Sequence, residues 1–171
     1  TLAEGDPALQ ARLAANPNDA DAHLGLGLIR FARAVETLGQ GLYRHGLRTP
    51  RNLPIPFLRM PVPVNPDPQP ISYDQARAIY ARFLADLAGV EAHLPRQPAG
   101  EAKVRVDIAA IQLDFNANGR ADPDERLSHV LQALMLMRGR AEPFPVAFDT
   151  ADGIWLRGYT HVLSAMLQFV L

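Results

Sequence analysis

The sequence predicts a mainly α-helical fold, of about five helices with a small two-stranded β ribbon and a long Pro-rich strap, and three observations carry that prediction. Apolar residues recur at helical spacing behind recognisable caps in several stretches. Residues 103–108 instead alternate apolar with charged side chains, and the run PFPVAF at 143–148 is a second extended apolar segment. Between the helical halves, residues 49–71 hold eight of the fifteen prolines, and proline removes the backbone donors that a helix or a central strand needs. A chain of 171 residues that is 48% hydrophobic and 20% charged can bury a sizeable core, so a single domain over residues 1–171 is expected.

Taken in order, Asp6 followed by Pro7 reads as a cap and first helical residue, predicting a short helix from Pro7 to about Ala15. Asn16, Pro17 and Asn18 break it. Asp19 or Asp21 then caps a longer helix whose stripe Leu24, Leu28, Phe31, Val35, Leu38 and Leu42 forms the first core face, making residues 1–46 a helical hairpin. The stretch NPNDADAHLGLGLIRFARAV, with its Leu26 and Gly27 pair, resembles the junction between consecutive tetratricopeptide repeats. That resemblance implies a helical protein-interaction domain with a protein partner. It covers residues 16–35 only, and no second copy follows at the family's period of about 34 residues.

The strap, 47–71, interleaves its prolines with Leu53, Ile55, Phe57, Leu58, Met60, Val62 and Val64, more apolar surface than a disordered linker carries. It is expected to pack across the helices; the alternative is a rigid loop that grips a ligand or docks a partner. Residues 72–171 then hold the remaining helices. Ser72 and Gln75 form a capping-box pattern, and Ala76, Ile79, Tyr80, Phe83, Leu87 and Val90 continue an amphipathic helix to about His93, before Pro95 and Pro98. In KVRVDIAAIQLDF the alternation slips by one residue, which predicts a bulge or two short strands; a helix using Val104, Ile108, Ile111 and Phe115 is the alternative. PFPVAF is the expected partner of 103–113 in the ribbon.

Asp122 and Pro123 are expected to start a further helix, burying Leu127, Val130, Leu131, Leu134 and Met135 and ending at Gly139. Asp149 or Thr150 caps the last helix, DGIWLRGYTHVLSAMLQFVL, the most hydrophobic segment. Its Arg157, His161, Ser164 and Gln168 form one polar stripe, and its apolar part is shorter than the roughly 20 residues that cross a bilayer, so no transmembrane span is expected. It reads as a core helix with one polar edge, or as an interfacial helix or oligomer contact. Trp155 is expected to pack, Arg157 to pair with a buried acid, and Gly158 to mark close approach of another backbone.

The chemistry concentrates in DFNANGRADPDE, residues 114–125. Asp114, Asn116 and Asn118 stand two apart, Gly119 permits a sharp turn, and Asp122 and Glu125 follow, a ring of oxygen donors suited to a hard cation. The segment resembles the loop of the EF-hand family and its bacterial EF-like relatives, over these twelve residues and the helix expected after them. The resemblance implies calcium held by Asp114, Asn116, Asn118, the carbonyl of Arg120, Asp122 and Glu125. Three carboxylates and two amides give the set a formal charge of −3, which corresponds to a dissociation constant on the order of 10⁻⁵ to 10⁻³ M, with magnesium weaker. This chain departs from the family in having extended sequence where an entering helix stands, and Ala121 where a branched apolar residue pairs two loops. An unpaired, structural site is therefore expected rather than a sensor. The alternative is an ion-free turn in which Asp122 acts as a helix cap.

Function classes narrow accordingly. A net charge of −1 offers no attraction to nucleic acid, and the lack of cysteine excludes disulfides and thiolate chemistry. The five histidines form no i, i+4 pair and no enzyme motif is present, so the expected function is a non-enzymatic calcium-binding structural or binding module. The alternatives are a tetratricopeptide-like interaction domain in which the ion is incidental, and a hydrolase using Asp149, Arg157 and His161. The start at Thr1, read as a processed or trimmed one, together with a weak calcium loop points to an exported bacterial protein, periplasmic or secreted.

Overall fold

The computed structural model describes residues 2–48, 60–94, 102–120, 122–129 and 145–171, and among these residues four full α-helices and one β ribbon are seen. They are α1 (Leu2–Ala15), α2 (Ala20–Arg44), α3 (Tyr73–Glu91), β1 (Lys103–Asp107), β2 (Pro145–Asp149) and α4 (Thr150–Val170). The fold is mainly helical with a small two-stranded antiparallel sheet, as the sequence predicts. A helical stretch begins at Leu127, but the rest of the helix expected through Gly139 lies outside the described residues.

Helix α2 is the centre of the assembly. Asp19 caps it by accepting the Ala22 N–H at 2.9 Å, and Arg12 closes the turn by pairing with Asp19 at 2.8 Å. Helix α1 packs antiparallel on α2, with Leu9 against Gly25 and Ile29 against Gly5. One expectation fails here: α1 is already under way at Leu2, four residues before Asp6, so Asp6 and Pro7 lie inside the helix. Proline so near a helix start forfeits one internal hydrogen bond, and Asp6 is drawn instead into the α1–α2 interface. There it accepts from Gln10 and pairs with Arg30 at 3.3 Å and Arg33 at 3.7 Å. Arg30 Nη1 also lies 2.7 Å from His93 Nε2; because a guanidinium only donates, that nitrogen must be the unprotonated acceptor.

The capping box at Ser72 and Gln75 opens α3 as predicted, with hydrogen bonds of 3.2 and 2.8 Å. Helix α3 buries Phe83 and Leu87 against Leu38 and Leu42 of α2, and Leu163 and Leu167 of α4 complete the cluster. Of the strap, residues 49–59 fall outside the described part. Residues 60–71 run without helix or strand, and Met60 and Val62 reach into the same core while Val64 stays exposed.

The ribbon pairs as expected, Lys103 opposite Asp149 and Val104 opposite Phe148. The slip in alternation turns out to be a single 3-10 turn at Ile108–Ala110, opened by Asp107 accepting the Ala109 N–H at 3.0 Å. Asp149 and Asp152 form a capping box at the start of α4. That helix has three faces rather than the expected two. Leu156, Thr160, Leu163 and Leu167 are buried, the stripe of Arg157, His161 and Gln168 is exposed with Ser164 half-buried, and a third, apolar face stays open. On that third face Trp155 is 66% and Phe169 94% exposed, and Trp155 stacks on Tyr159 at 5.2 Å instead of entering the core. Arg157 is exposed, not buried with an acid, and among the described residues nothing outside its own helix backbone lies within 4 Å of where a Cβ on Gly158 would stand. Among the described residues no helix is long and apolar enough to cross a membrane.

Candidate cation site

The loop hangs from a single antiparallel bridge. Gln112 pairs with Arg126, the Leu127 N–H donates to the Ile111 carbonyl at 2.9 Å, and the Leu113 N–H donates to the Glu125 carbonyl at 3.0 Å. Residues 114–124 must therefore close on themselves in a tight circuit. Gly119, at φ 71°, supplies a left-handed turn at little cost, and Ala117 takes the same conformation at φ 56°, where a side chain costs about 1–2 kcal/mol. Ala121 lies outside the described residues.

Inside the circuit the expected ligands converge. Asp114 accepts the Asn118 and Gly119 N–H groups, at 3.0 and 2.9 Å on separate oxygens. Asn116 Oδ1 accepts the Asn118 N–H at 3.0 Å, and Asn118 Oδ1 accepts the Arg120 N–H at 2.7 Å. Each amide oxygen has two lone pairs, so one remains for a cation. The two Nδ2 groups donate to Asp122 Oδ2, both at 2.8 Å. Glu125 turns inward, its Oε1 accepting the Asn116 N–H at 3.0 Å. All five expected side chains and the Arg120 backbone N–H thus share one network. Among the described residues no three acidic or imidazole groups stand together as a preassembled metal cluster, because the carboxylates are linked through the asparagines.

Two features decide whether a cation fits. Glu125 is only 1% exposed, and its Oε2 is buried without a hydrogen-bond partner. An unpaired oxygen on a buried carboxylate costs on the order of 1–3 kcal/mol or more, a cost that a cation would remove. Burial pushes the Glu125 carboxyl up and the charges of Asp122 and Asp114 push it further, while the Asn116 N–H and, more weakly, the Phe115 N–H oppose. Asp122 behaves oppositely, held low by the Asn116 and Asn118 amides against its partial desolvation, with help from Arg120. One carboxylate is thus favoured as an anion beside a second that resists ionising, a repulsion that a divalent ion would relieve. The donors are all oxygens, as calcium requires.

The helix that should begin at Asp122 does not. Pro123–Glu125 is one 3-10 turn, Arg126 is extended, and the Asp122 side chain makes no cap hydrogen bond. The reason is local: Asp122 is occupied by the two asparagines, and the Arg126 backbone is committed to the bridge.

Sequence reasoning missed what holds the loop from outside. The Asp114 N–H donates to Glu36 Oε1 at 2.8 Å, and Gln40 Nε2 donates to the Asp114 carbonyl at 2.7 Å, both from α2. Phe115 is fully buried against Gly39, where any Cβ would fall on its ring. The available signal was Gly39-Gln40-Gly41 within a helical pattern, since glycine costs about 1 kcal/mol there and marks close approach. Burial pushes the Glu36 carboxyl up, the Asp114 N–H opposes, and the Asp114 charge adds to the rise.

Asp149, Arg157 and His161 are not brought together. Asp149 is a helix cap, Arg157 is exposed, and His161 Nδ1 lies 3.4 Å from Glu91; twelve residues of helix separate Asp149 from His161, about 18 Å along the axis. No protein-family model, curated protein or solved structure matches the chain.

Proposed function

We propose that residues 114–125 bind one calcium ion and that the ion's role is structural, in a module that is not an enzyme. The observation that carries this reading is Glu125 Oε2, a buried carboxylate oxygen with no hydrogen-bond partner, on a side chain whose other oxygen is held by the loop's own Asn116 N–H. Asp114, Asn116, Asn118, Asp122 and Glu125 would hold the ion with the Arg120 carbonyl, and bound calcium supplies positive charge that pins the loop's two ends together. Without an ion, the charges of Asp122 and Asp114 act against ionisation of Glu125; a bound cation would offset them. Because the loop is packed on α2 and closed by one bridge, ion binding stabilises the fold instead of opening a groove. A site of this strength fills where calcium is abundant, so the reading includes an exported, periplasmic or secreted location.

The test is calorimetric titration of chelator-treated protein with calcium and then with magnesium, following the melting temperature in parallel. One-to-one calcium binding at about 10⁻⁵ to 10⁻³ M, weaker magnesium binding and a several-degree rise are expected. No heat and no shift would reduce 114–125 to a turn and end the proposal.

A further inference from the structure

An EF-type loop is ordinarily entered from a helix, yet here the chain reaches Asp114 from a short strand and one 3-10 turn. Something else has to orient the first ligand. Three successive points of the backbone entering the loop are held from outside or across it. Glu36 accepts the Asp114 N–H and Gln40 donates to the Asp114 carbonyl, so both polar groups of that residue's backbone are tied to α2. The Phe115 ring sits on Gly39 between them, and the Asn116 N–H goes to Glu125 at the far end of the loop. Residues 36, 39 and 40 share one face of a helix, so they meet the loop as a rigid unit.

We propose that Glu36 and Gln40 are positioning residues for the cation loop, doing from α2 the work of the missing entering helix, so that ion binding and docking of the loop on α2 form one linked equilibrium. The inference rests on the calcium reading. Linkage is reciprocal: whatever loosens the loop from α2 weakens calcium, and calcium tightens that contact by the same factor. Calcium occupancy therefore regulates the stability of the central helix. Neither residue is among the proposed ligands; each acts through Asp114.

The experiment is calcium titration at pH 8 of the wild type and of Glu36→Ala, Glu36→Gln and Gln40→Glu, with circular dichroism as a check on folding. Glu36→Ala should weaken calcium about tenfold, because a hydrogen bond to a charged acceptor is lost. Glu36→Gln keeps an oxygen acceptor and should stay within about threefold of the wild type. Gln40→Glu is the deciding variant and is nearly isosteric. It adds negative charge, which a site governed by charge alone would turn into tighter binding, but it removes the donor to the Asp114 carbonyl, so positioning predicts binding about tenfold weaker. Calcium should also slow amide exchange in α2 around Leu38–Leu42 of the wild type and do so less in Gln40→Glu. Tighter binding by Gln40→Glu, or equal affinity in all variants, overturns the proposal while leaving the calcium reading intact. Failure of the wild type to bind calcium overturns both.

Discussion

Replacing Glu125 by glutamine should reverse the order of stability between calcium and chelator, and the size of both effects follows from the buried side chain. In chelator the wild type keeps a carboxylate that is 1% exposed, with one oxygen satisfied by Asn116 and the other by nothing. The amide retains an acceptor for Asn116 and removes the charge, so the variant should be as stable as the wild type or about 1 kcal/mol more so. In calcium at about 100 times the dissociation constant, the wild type gains roughly 2.7 kcal/mol. For a chain of this size that is a rise of about 5–10 °C. Loss of a charged ligand that weakens binding about 100-fold leaves a gain of roughly 0.4 kcal/mol at the same calcium, about 1 °C. Differential scanning calorimetry of both proteins in calcium and in chelator measures all four states. Equal calcium shifts, or a variant destabilised by more than about 2 kcal/mol in chelator, would refute the reasoning, since either shows that the carboxylate is satisfied by the protein itself.

Three further outcomes are expected. Gly158→Ala should raise stability by about 1 kcal/mol, because the position is exposed inside α4 with nothing within 4 Å; an urea midpoint that falls would contradict it. Gly39→Ala should lower stability by about 1–3 kcal/mol and weaken calcium binding with it, since the new methyl collides with a ring that is fully buried and has nowhere to move. Burial opposes ionisation of Asp6, but the hydrogen bonds from Gln10 and Arg30 and the charges of Arg30 and Arg33 outweigh it and hold its carboxyl below the ordinary value. Its folded-state pKa being depressed, its contribution is fully present above the unfolded value of about 3.9 and is lost as pH falls through the folded one. Urea unfolding should therefore show Asp6→Asn less stable than the wild type at pH 7 and the gap closing in acid; a gap that persists at low pH would show that packing, not charge, holds the side chain.

Most of the secondary structure was legible because its signals are local. Asp19, Ser72 with Gln75, and Asp149 cap the helices they were expected to cap, and PFPVAF pairs with the strand at 103–107. The misreadings arose where a residue's local preference was overruled by a distant partner. Asp6 has the chemistry of a cap, but two arginines on α2 offer it a better environment. Asp122 followed by Pro123 also looks like a cap, but two asparagines within the loop engage it first.

Gly158 shows the converse: a helical glycine signals close approach only when something is there to approach, and the same argument that fails at 158 holds at Gly39.

For the candidate site, the sequence alone determined which oxygens are available and in what order, because the spacing of ligands around a tight turn is a property of a few consecutive residues. It also determined the helical class, since caps and periodic apolar stripes act over a turn or two. Only the tertiary structure decided that Glu125 is buried with an oxygen left over, that Glu36 and Gln40 grip the loop's first residue, and that one face of α4 stays open. Those are contacts between segments some 75 residues apart, or surfaces defined by what fails to cover them, and no local spacing encodes either.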